Sequence, residues 1–236
     1  MIYVGIDDTD VPDAPGTNKL ARGLIADLGD EYPCRVIVRH QLLDDPRVPR
    51  TSKNSAASLL FESDGPGALR PLVDRLRAMV RDRSAAGSDP GLCATATVPE
   101  EITAFGRRCQ RELVSKDEAV RLAARCGVYL EGLGGTQDGV IGALAAVGLA
   151  AAGDDGRVVQ IGSWPDELDG PQEVATLATR GVEVRCLDTG TPVSRGVVDV
   201  GKHLRPSYRK HRIVLFARRA AEATCGSGRW QAVRLL

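Results

Sequence analysis

Met1-Ile2-Tyr3-Val4-Gly5-Ile6-Asp7-Asp8-Thr9-Asp10 opens the chain, and its first half has the composition of a buried central strand. Ile2, Tyr3, Val4 and Ile6 form the short apolar run expected of such a strand. Three carboxylates, Asp7, Asp8 and Asp10, then fall within four residues at its C-terminal end. If the strand continues, side-chain alternation puts Asp8 and Asp10 on one face and Asp7 on the other. Crowded carboxylates beside a core are tolerable when protonated, hydrogen-bonded or neutralised by a cation. A Mg²⁺ ion, which takes one or two carboxylates plus substrate phosphates, is the simplest neutraliser. The competing reading is an acidic turn whose Asp and Thr side chains, Thr9 among them, cap the next helix.

That helix is expected to begin at Thr17-Asn18, because Leu20, Leu24 and Leu28 recur at four-residue spacing on one face. Thr17 or Asn18 is the expected N-cap, and the free N–H groups of a helix start beside a metal suit phosphate binding. Residues 34–38 read as a second strand ending in Arg39-His40-Gln41. Residues 45–54 (DPRVPRTSKN) form a Pro-rich basic loop offering Arg47, Arg50 and Lys53, with Arg39 just upstream. A third strand over 56–61 and an amphipathic helix over 68–80 complete a β-α-β-β-α order, that of a split βαβ unit. Residues 84–91 (SAAGSDPG) have linker composition.

Beyond them come a strand over 92–98 and a helix over 99–114. Ser115-Lys116-Asp117-Glu118 is a capping box for a short helix ending at Gly127. Gly132-Leu133-Gly134-Gly135-Thr136-Gln137-Asp138-Gly139 is a Gly-rich loop leading into an apolar helix over 140–152. Its glycines allow backbone N–H groups to approach an anion, although glycines equally serve turns. Strands are expected over 157–161, 182–187, 197–200, 213–217 and 230–235, with a helix over 171–179. Residues 203–212 (HLRPSYRKHR) read as a solvated basic loop or as an edge that meets phosphates.

At 236 residues the chain can bury one sizeable core or two smaller ones. Equal numbers of acidic and basic residues, 31 of each, argue against tight stand-alone binding to a nucleic-acid backbone. Aromatics at 4% argue against a base-stacking platform. Six cysteines without a C-x-x-C pair exclude an obvious zinc ribbon and suit reduced thiols in the cytoplasm, the expected location. No apolar run reaches membrane-spanning length, and a start directly on a strand reads as no secretory signal.

Three of these stretches occur together in one known family. Gly5 to Asp10 resembles the opening motif of the tRNA-isoleucine 2-agmatinylcytidine synthetases. Pro49-Arg50-Thr51-Ser52-Lys53-Asn54, leading into Ala56 and Ala57, is similar to their Pro-x-x-Thr-basic-x-Asn-x-Ala stretch. Gly139 to Ala146 resembles the Gly-x-Ile-Gly-Ala-Leu-Ala-Ala helix of their ferredoxin-like domain. The likeness covers roughly residues 1–162. It implies an α+β fold, with a kinase-like α/β ATP/Mg module over 1–88 and a ferredoxin-like domain with the Gly-rich loop over 89–165; the strand pattern beyond adds a C-terminal α/β segment over 166–236 as a short β-rich tail. In that family the kinase-like module uses ATP to activate the C2 oxygen of an anticodon cytidine, which agmatine then displaces.

By this resemblance Asp7, Asp8 and Asp10 handle Mg²⁺ and ATP, and Thr17 falls near the family's phosphorylatable threonine. Read from residue type and position as well as from the matched loop, Thr9, Asn18, Arg39, His40, Arg47, Arg50, Thr51, Lys53 and Asn54 are the expected phosphate and substrate contacts, with His40 a candidate proton acceptor. Gly134, Gly135, Gly139 and Gly142 are expected on the small-amine side of the site. The OB-type domain and zinc ribbon that hold tRNA in the family have no counterpart in this sequence. The expected activity is therefore ATP/Mg-dependent phosphoryl transfer to an acceptor oxygen, followed by attack of a small amine. The alternatives are a non-catalytic amine or nucleotide sensor, and a tRNA-modifying enzyme whose RNA is held by Arg205–Arg212 or by a partner.

Overall fold

The computed structural model describes residues 1–48, 53–63, 65–162, 168–220 and 228–235. The chain divides into two compact units, Met1–Ala152 with Gln160–Ser163, and Gly153–Val159 with Trp164–Leu236. The fold is mixed α+β, and among the described residues no helix is long and apolar enough to cross a membrane.

In the first unit β1 (Ile2–Asp7) is followed by α1 (Thr17–Leu28), β2 (Cys34–Gln41), β3 (Ser55–Phe61) and α2 (Leu69–Arg83). Next come β4 (Gly91–Thr95), α3 (Glu100–Cys109), α4 (Lys116–Cys126), β5 (Tyr129–Gly132) and α5 (Gly139–Ala152). The strands pair antiparallel in the order β5-β4-β1-β3-β2, so the opening stretch lies at the centre. Ile2, Val4 and Ile6, together with Leu24 of α1 and Leu72 and Leu76 of α2, are 0–1% exposed and form one core layer. Tyr3, Gly5 and Asp7 turn to the opposite face, where α5 packs. Gly5 lets that happen: a Cβ there would lie 1.9 Å from the Ala143 carbonyl oxygen. The α5 helix is apolar on all sides because it is enclosed by the sheet, α3 and α4.

Two local expectations fail for simple reasons. The α1 N-cap is Gly16, with no side-chain cap bond, and Thr17 is already helical; its hydroxyl is drawn instead to Asp10. The strand stops at Asp7, because Asp8 takes a left-handed conformation at φ 52°, so Asp8 and Asp10 do not alternate along a strand. By contrast the Ser115 half of the capping box forms: Ser115 Oγ accepts the Glu118 N–H, while the Glu118 carboxylate pairs with Arg108 instead of reaching back, and left-handed Gly127 ends α4.

The linker-like residues 84–91 lie inside the first unit. Ala85 N–H donates to the Thr9 carbonyl (3.0 Å) and Leu133 N–H to the Pro90 carbonyl (2.7 Å). Proline and glycine there make a buried corner that joins the acidic turn to the Gly-rich loop.

In the second unit β7 (Pro171–Glu173), α6 (Val174–Thr179), β8 (Val182–Cys186), β9 (Val197–Asp199), β10 (Ser207–Arg209), β11 (Arg212–Arg219) and β12 (Arg229–Ala232) follow β6 (Arg157–Ile161). Its strands run β10-β11-β12-β9-β7, with β8 parallel to β11. The expected helix over 171–179 is a three-residue strand followed by α6. The expected loop over 203–212 is largely a hairpin: β10 pairs with β11 through Lys210-His211, both left-handed. Two successive positive φ values characterise the tight hairpin turn that matches strand twist.

Candidate functional site

A cavity of about 600 Å³ opens in the first unit where β1 ends. Asp7 and Asp8 line it from one side, and Gly139 and Gly142 of α5 from another. Asp89 and Asp138 add carboxylates, while Leu42, Val114 and Ile141 give it an apolar wall. Arg47 and Lys116 are the cations on its lining among the described residues.

The close approach of α5 creates this arrangement. A Cβ on Gly142 would fall 1.8 Å from the Asp7 carboxylate, and one on Gly139 would fall 2.2 Å from the Asp89 carbonyl. Gly139 N–H donates to that same carbonyl (3.2 Å). The Asp89 carboxylate in turn accepts both the backbone N–H and the hydroxyl of Thr136, the latter at 3.0 Å. Asp89 thereby holds the Gly-rich loop in shape. Gly135 is required beneath it, being left-handed and with no room for a Cβ against Asp89. Lys116 reaches the Thr136 carbonyl (2.5 Å) and the Asp138 carboxylate (3.3 Å) across the mouth.

The electrostatics are those of crowded acids. Burial raises the Asp7 carboxyl well above its ordinary range, and the neighbouring Asp8 charge adds to this. Asp8 is pushed up to about 6, first by burial and then by the charges of Asp89, Asp10 and Asp138. Such carboxylates resist ionisation alone and welcome a cation. Among the described residues no three His, Cys, Asp or Glu side chains converge to hold a metal ion by themselves. Two carboxylates on an open cavity do fit Mg²⁺ delivered with phosphates, since that ion keeps most of its ligands from water and substrate. Cys109 also lines the cavity, but burial lifts its thiol to about 12, which makes it a poor nucleophile.

Of the residues singled out in the sequence, Asp7, Asp8, Arg47, Asn54, Gly139 and Gly142 meet at this cavity. Arg47 is closed onto Asp45 (2.8 Å), and Asn54 ties the loop neck by donating to the Leu43 carbonyl (2.9 Å). Asp10 and Thr17 do not line it. The buried Thr9 hydroxyl donates to Thr17 Oγ1 (3.1 Å), which donates to Asp10 (3.3 Å), so these three brace the turn from behind. Arg39 donates to Ser55 Oγ (3.0 Å), and fully buried His40 meets Ser58 Oγ at 2.9 Å in the sheet core. Asn18, Lys53, Gly134 and Gly135 also fall outside the lining, the two glycines packing on Ser88–Pro90 behind it. Arg50 and Thr51 lie outside the described residues. Sequence reasoning did not single out Asp89, Asp138 or Lys116 as site residues. The linker-like composition around Asp89 masked it, whereas Asp138 could have been found from its place just before the α5 start.

No protein-family model matches this sequence. A curated relative, the tRNA(Ile2) 2-agmatinylcytidine synthetase TiaS of Pyrococcus horikoshii, is 29% identical over 155 residues, 63% of this chain and 35% of its own length. The solved TiaS–tRNA(Ile2)–ATP complex is 26% identical with a TM-score of 0.54, covering 62% of this chain and 36% of that one. The TiaS–tRNA(Ile2)–AMPCPP–agmatine complex is 25% identical with a TM-score of 0.52, covering 62% and 35%. This chain thus spans little more than a third of the length of the proteins it resembles. Across about 62% of its residues, it is a partial homologue of the TiaS agmatinylcytidine synthetase.

Proposed function

We propose that the first unit binds Mg²⁺–ATP and a small cationic amine in the acidic cavity, and phosphorylates an acceptor oxygen that the amine then displaces. The observation that carries this reading is the meeting of Asp7 and Asp8 with the N-terminal turn of α5 in one cavity. Its lining holds Asp7, Asp8, Asp89, Glu112 and Asp138 against Arg47 and Lys116, an excess of negative charge that favours cations. Relatives have been crystallised with ATP and with AMPCPP plus agmatine, ligands of this chemistry.

In this reading Asp7 and Asp8 hold the metal, and Asp10 and Thr17 set the turn that presents them. The metal, when bound, neutralises charge on the transferring phosphate. Phosphoryl transfer asks little covalent chemistry of a protein; it asks for cations, N–H donors and an aligned nucleophile. Arg47 supplies a cation once released from Asp45. Asp89 and Asp138 attract the amine, and the apolar wall of Leu42, Val114 and Ile141 suits its methylenes. The expected division at residue 88 is then one of roles, nucleotide on the 1–88 side and amine on the 89–165 side.

The test is thermal unfolding with Mg²⁺–ATP, with agmatine, and with both. Ligand at a hundredfold its Kd stabilises by about 2.7 kcal/mol, and Asp8→Asn should abolish the nucleotide-dependent shift. An unchanged melt at millimolar Mg²⁺–ATP would remove the nucleotide from the reading. Salt-dependent filter retention of bulk tRNA asks separately whether the acceptor is an RNA.

A further inference from the structure

The second unit carries 13 Lys and Arg against 10 Asp and Glu, and the imbalance is steepest at its end: residues 200–236 hold nine basic side chains and one acidic one. Several of these cations are gathered rather than scattered. A cleft of about 460 Å³ on one face of the sheet is lined by Arg185 of β8, Arg209 of β10, Lys210 in the hairpin turn and Arg212 of β11. Against these four cations stand two carboxylates, Asp154 and Glu183. Val214 and Phe216 supply its apolar part.

Register explains the gathering. Val214 lies opposite Glu183 and Phe216 opposite Arg185 across the parallel β8–β11 pair, while Arg209 lies opposite Arg212 across the hairpin. Directly paired residues share a face, so the cations converge over Val214 and Phe216. The other face packs inward: Val182, Val184, Ile213 and Leu215 are buried there, and β8 packs against α6, whose Val174 and Leu177 are buried as well.

The cations are also held in place. Glu183 accepts from Arg185 (2.7 Å) through one oxygen and from Arg212 (3.2 Å) through the other, and these bonds outweigh burial to keep its carboxyl below the ordinary range. Arg185 further donates to the Gly190 carbonyl (2.9 Å), and Arg209 to the Tyr208 carbonyl (2.8 Å). Lys210 N–H is anchored on Asp154 (3.3 Å). A guanidinium has five N–H donors, so these contacts orient Arg185, Arg209 and Arg212 while leaving donor capacity for an anion.

We propose that this cleft is a second ligand site, separate from the acidic cavity, which receives a phosphorylated small molecule of nucleoside-monophosphate size. The phosphate sits among Arg209, Lys210 and Arg212, and the flat or apolar body lies on Val214 and Phe216. The cleft's volume suits one compact molecule rather than a strand, and its charge is opposite in sign to that of the first unit's cavity.

The test is calorimetric titration of the full chain with AMP and with inorganic pyrophosphate, in EDTA so that metal-dependent nucleotide binding is silent. AMP should bind, more weakly as salt rises, and Arg209→Gln with Arg212→Gln should weaken it at least tenfold. Arg212→Lys should retain part of the affinity, and Arg218→Gln, which removes an exposed cation of β11 paired to Asp188, should retain all of it. Matching melting curves for the variants establish that they fold. No heat with millimolar AMP or pyrophosphate overturns the proposal. So does AMP binding that survives the double substitution but is lost in Asp8→Asn, because the ligand would then sit in the first cavity. A single-stranded oligonucleotide binding a hundredfold tighter than AMP through the same arginines would overturn the small-molecule assignment in favour of a strand. The unchanged melt with Mg²⁺–ATP that would count against the first site leaves this result unaffected.

Discussion

Replacing Gly5 by Ala adds one methyl group to the centre of the first unit, and the structure says where it must go. The new Cβ would sit 1.9 Å from the Ala143 oxygen and 2.9 Å from its carbonyl carbon, both backbone atoms of α5. No rotamer relieves such a clash. An ordinary contact needs roughly 3.5 Å, so helix and strand must separate by about 1.5 Å along a tightly packed seam. Overpacking of this kind costs about 1–3 kcal/mol, and backbone on both sides puts Gly5→Ala at the upper end. For a chain of this size that is a fall in Tm of about 6–12 °C. Gly23→Ala is the matched control. It is a helical glycine whose added Cβ would meet only the tip of Arg83 at 3.9 Å, so helix propensity predicts a gain of up to about 1 kcal/mol. Paired urea melts of the two variants decide the matter. If Gly5→Ala is as stable as wild type, or if the two changes have the same sign, the claimed seam between β1 and α5 is wrong.

Further expectations concern the cavity and the thiols. Asp8 in the metal-free protein should titrate near pH 6 by carboxyl NMR, against about 4 unfolded. Because its folded pKa is raised, its contribution is fully present below about pH 4 and lost as pH rises through 6; added Mg²⁺ that moves the midpoint down would support a metal ligand, and an unmoved midpoint would count against one. Asp89→Ala should free the Gly-rich loop, costing about 1–3 kcal/mol locally and speeding hydrogen exchange at the Thr136 amide, whereas unchanged exchange would show that the loop holds itself. Among the described cysteines, Cys186 should react first with iodoacetamide, since hydrogen bonds from Thr189 hold its thiol below the ordinary value. Burial lifts Cys34 and Cys109 to about 12, and early labelling of either by mass spectrometry would contradict the described burial.

Legibility of the sequence followed the strength of local signals. The apolar opening and the leucine spacing of α1 and α2 are read correctly because burial imposes a period on the sequence. The Ser115–Glu118 box and Gly127 mark α4 to the residue for a similar reason, since caps are local chemistry. Asp7 and Asp8 are identifiable because crowded acids are unusual in themselves, whereas Gly139 and Gly142 stand out only through the family resemblance, since glycines equally serve turns. Their meeting is expected only through the family resemblance and not from local pattern, as it depends on α5 crossing β1 more than 130 residues away in sequence. Asp89 was hidden because Pro, Gly and Ser around it look like a linker whether the segment is free or packed. His40 and Arg39 show the opposite ambiguity: a polar side chain at a strand end looks available until the sheet closes over it. In 203–212 the density of charge obscures the two positive-φ residues that build a hairpin.

The chain does not finish one unit before starting the next. Residues 153–159 belong to the second unit, and only afterwards do Gln160 to Gly162 return to the first, where Gly162 N–H donates to the Arg35 carbonyl of β2. On the ribosome, the outer rim of an eight-residue strand therefore waits unpaired until well over a hundred further residues have been made. A fragment cut after Ala152 would retain every residue of the acidic cavity yet expose that rim. Sticking of nascent or truncated chains, rather than loss of the binding chemistry, is the failure to expect from it.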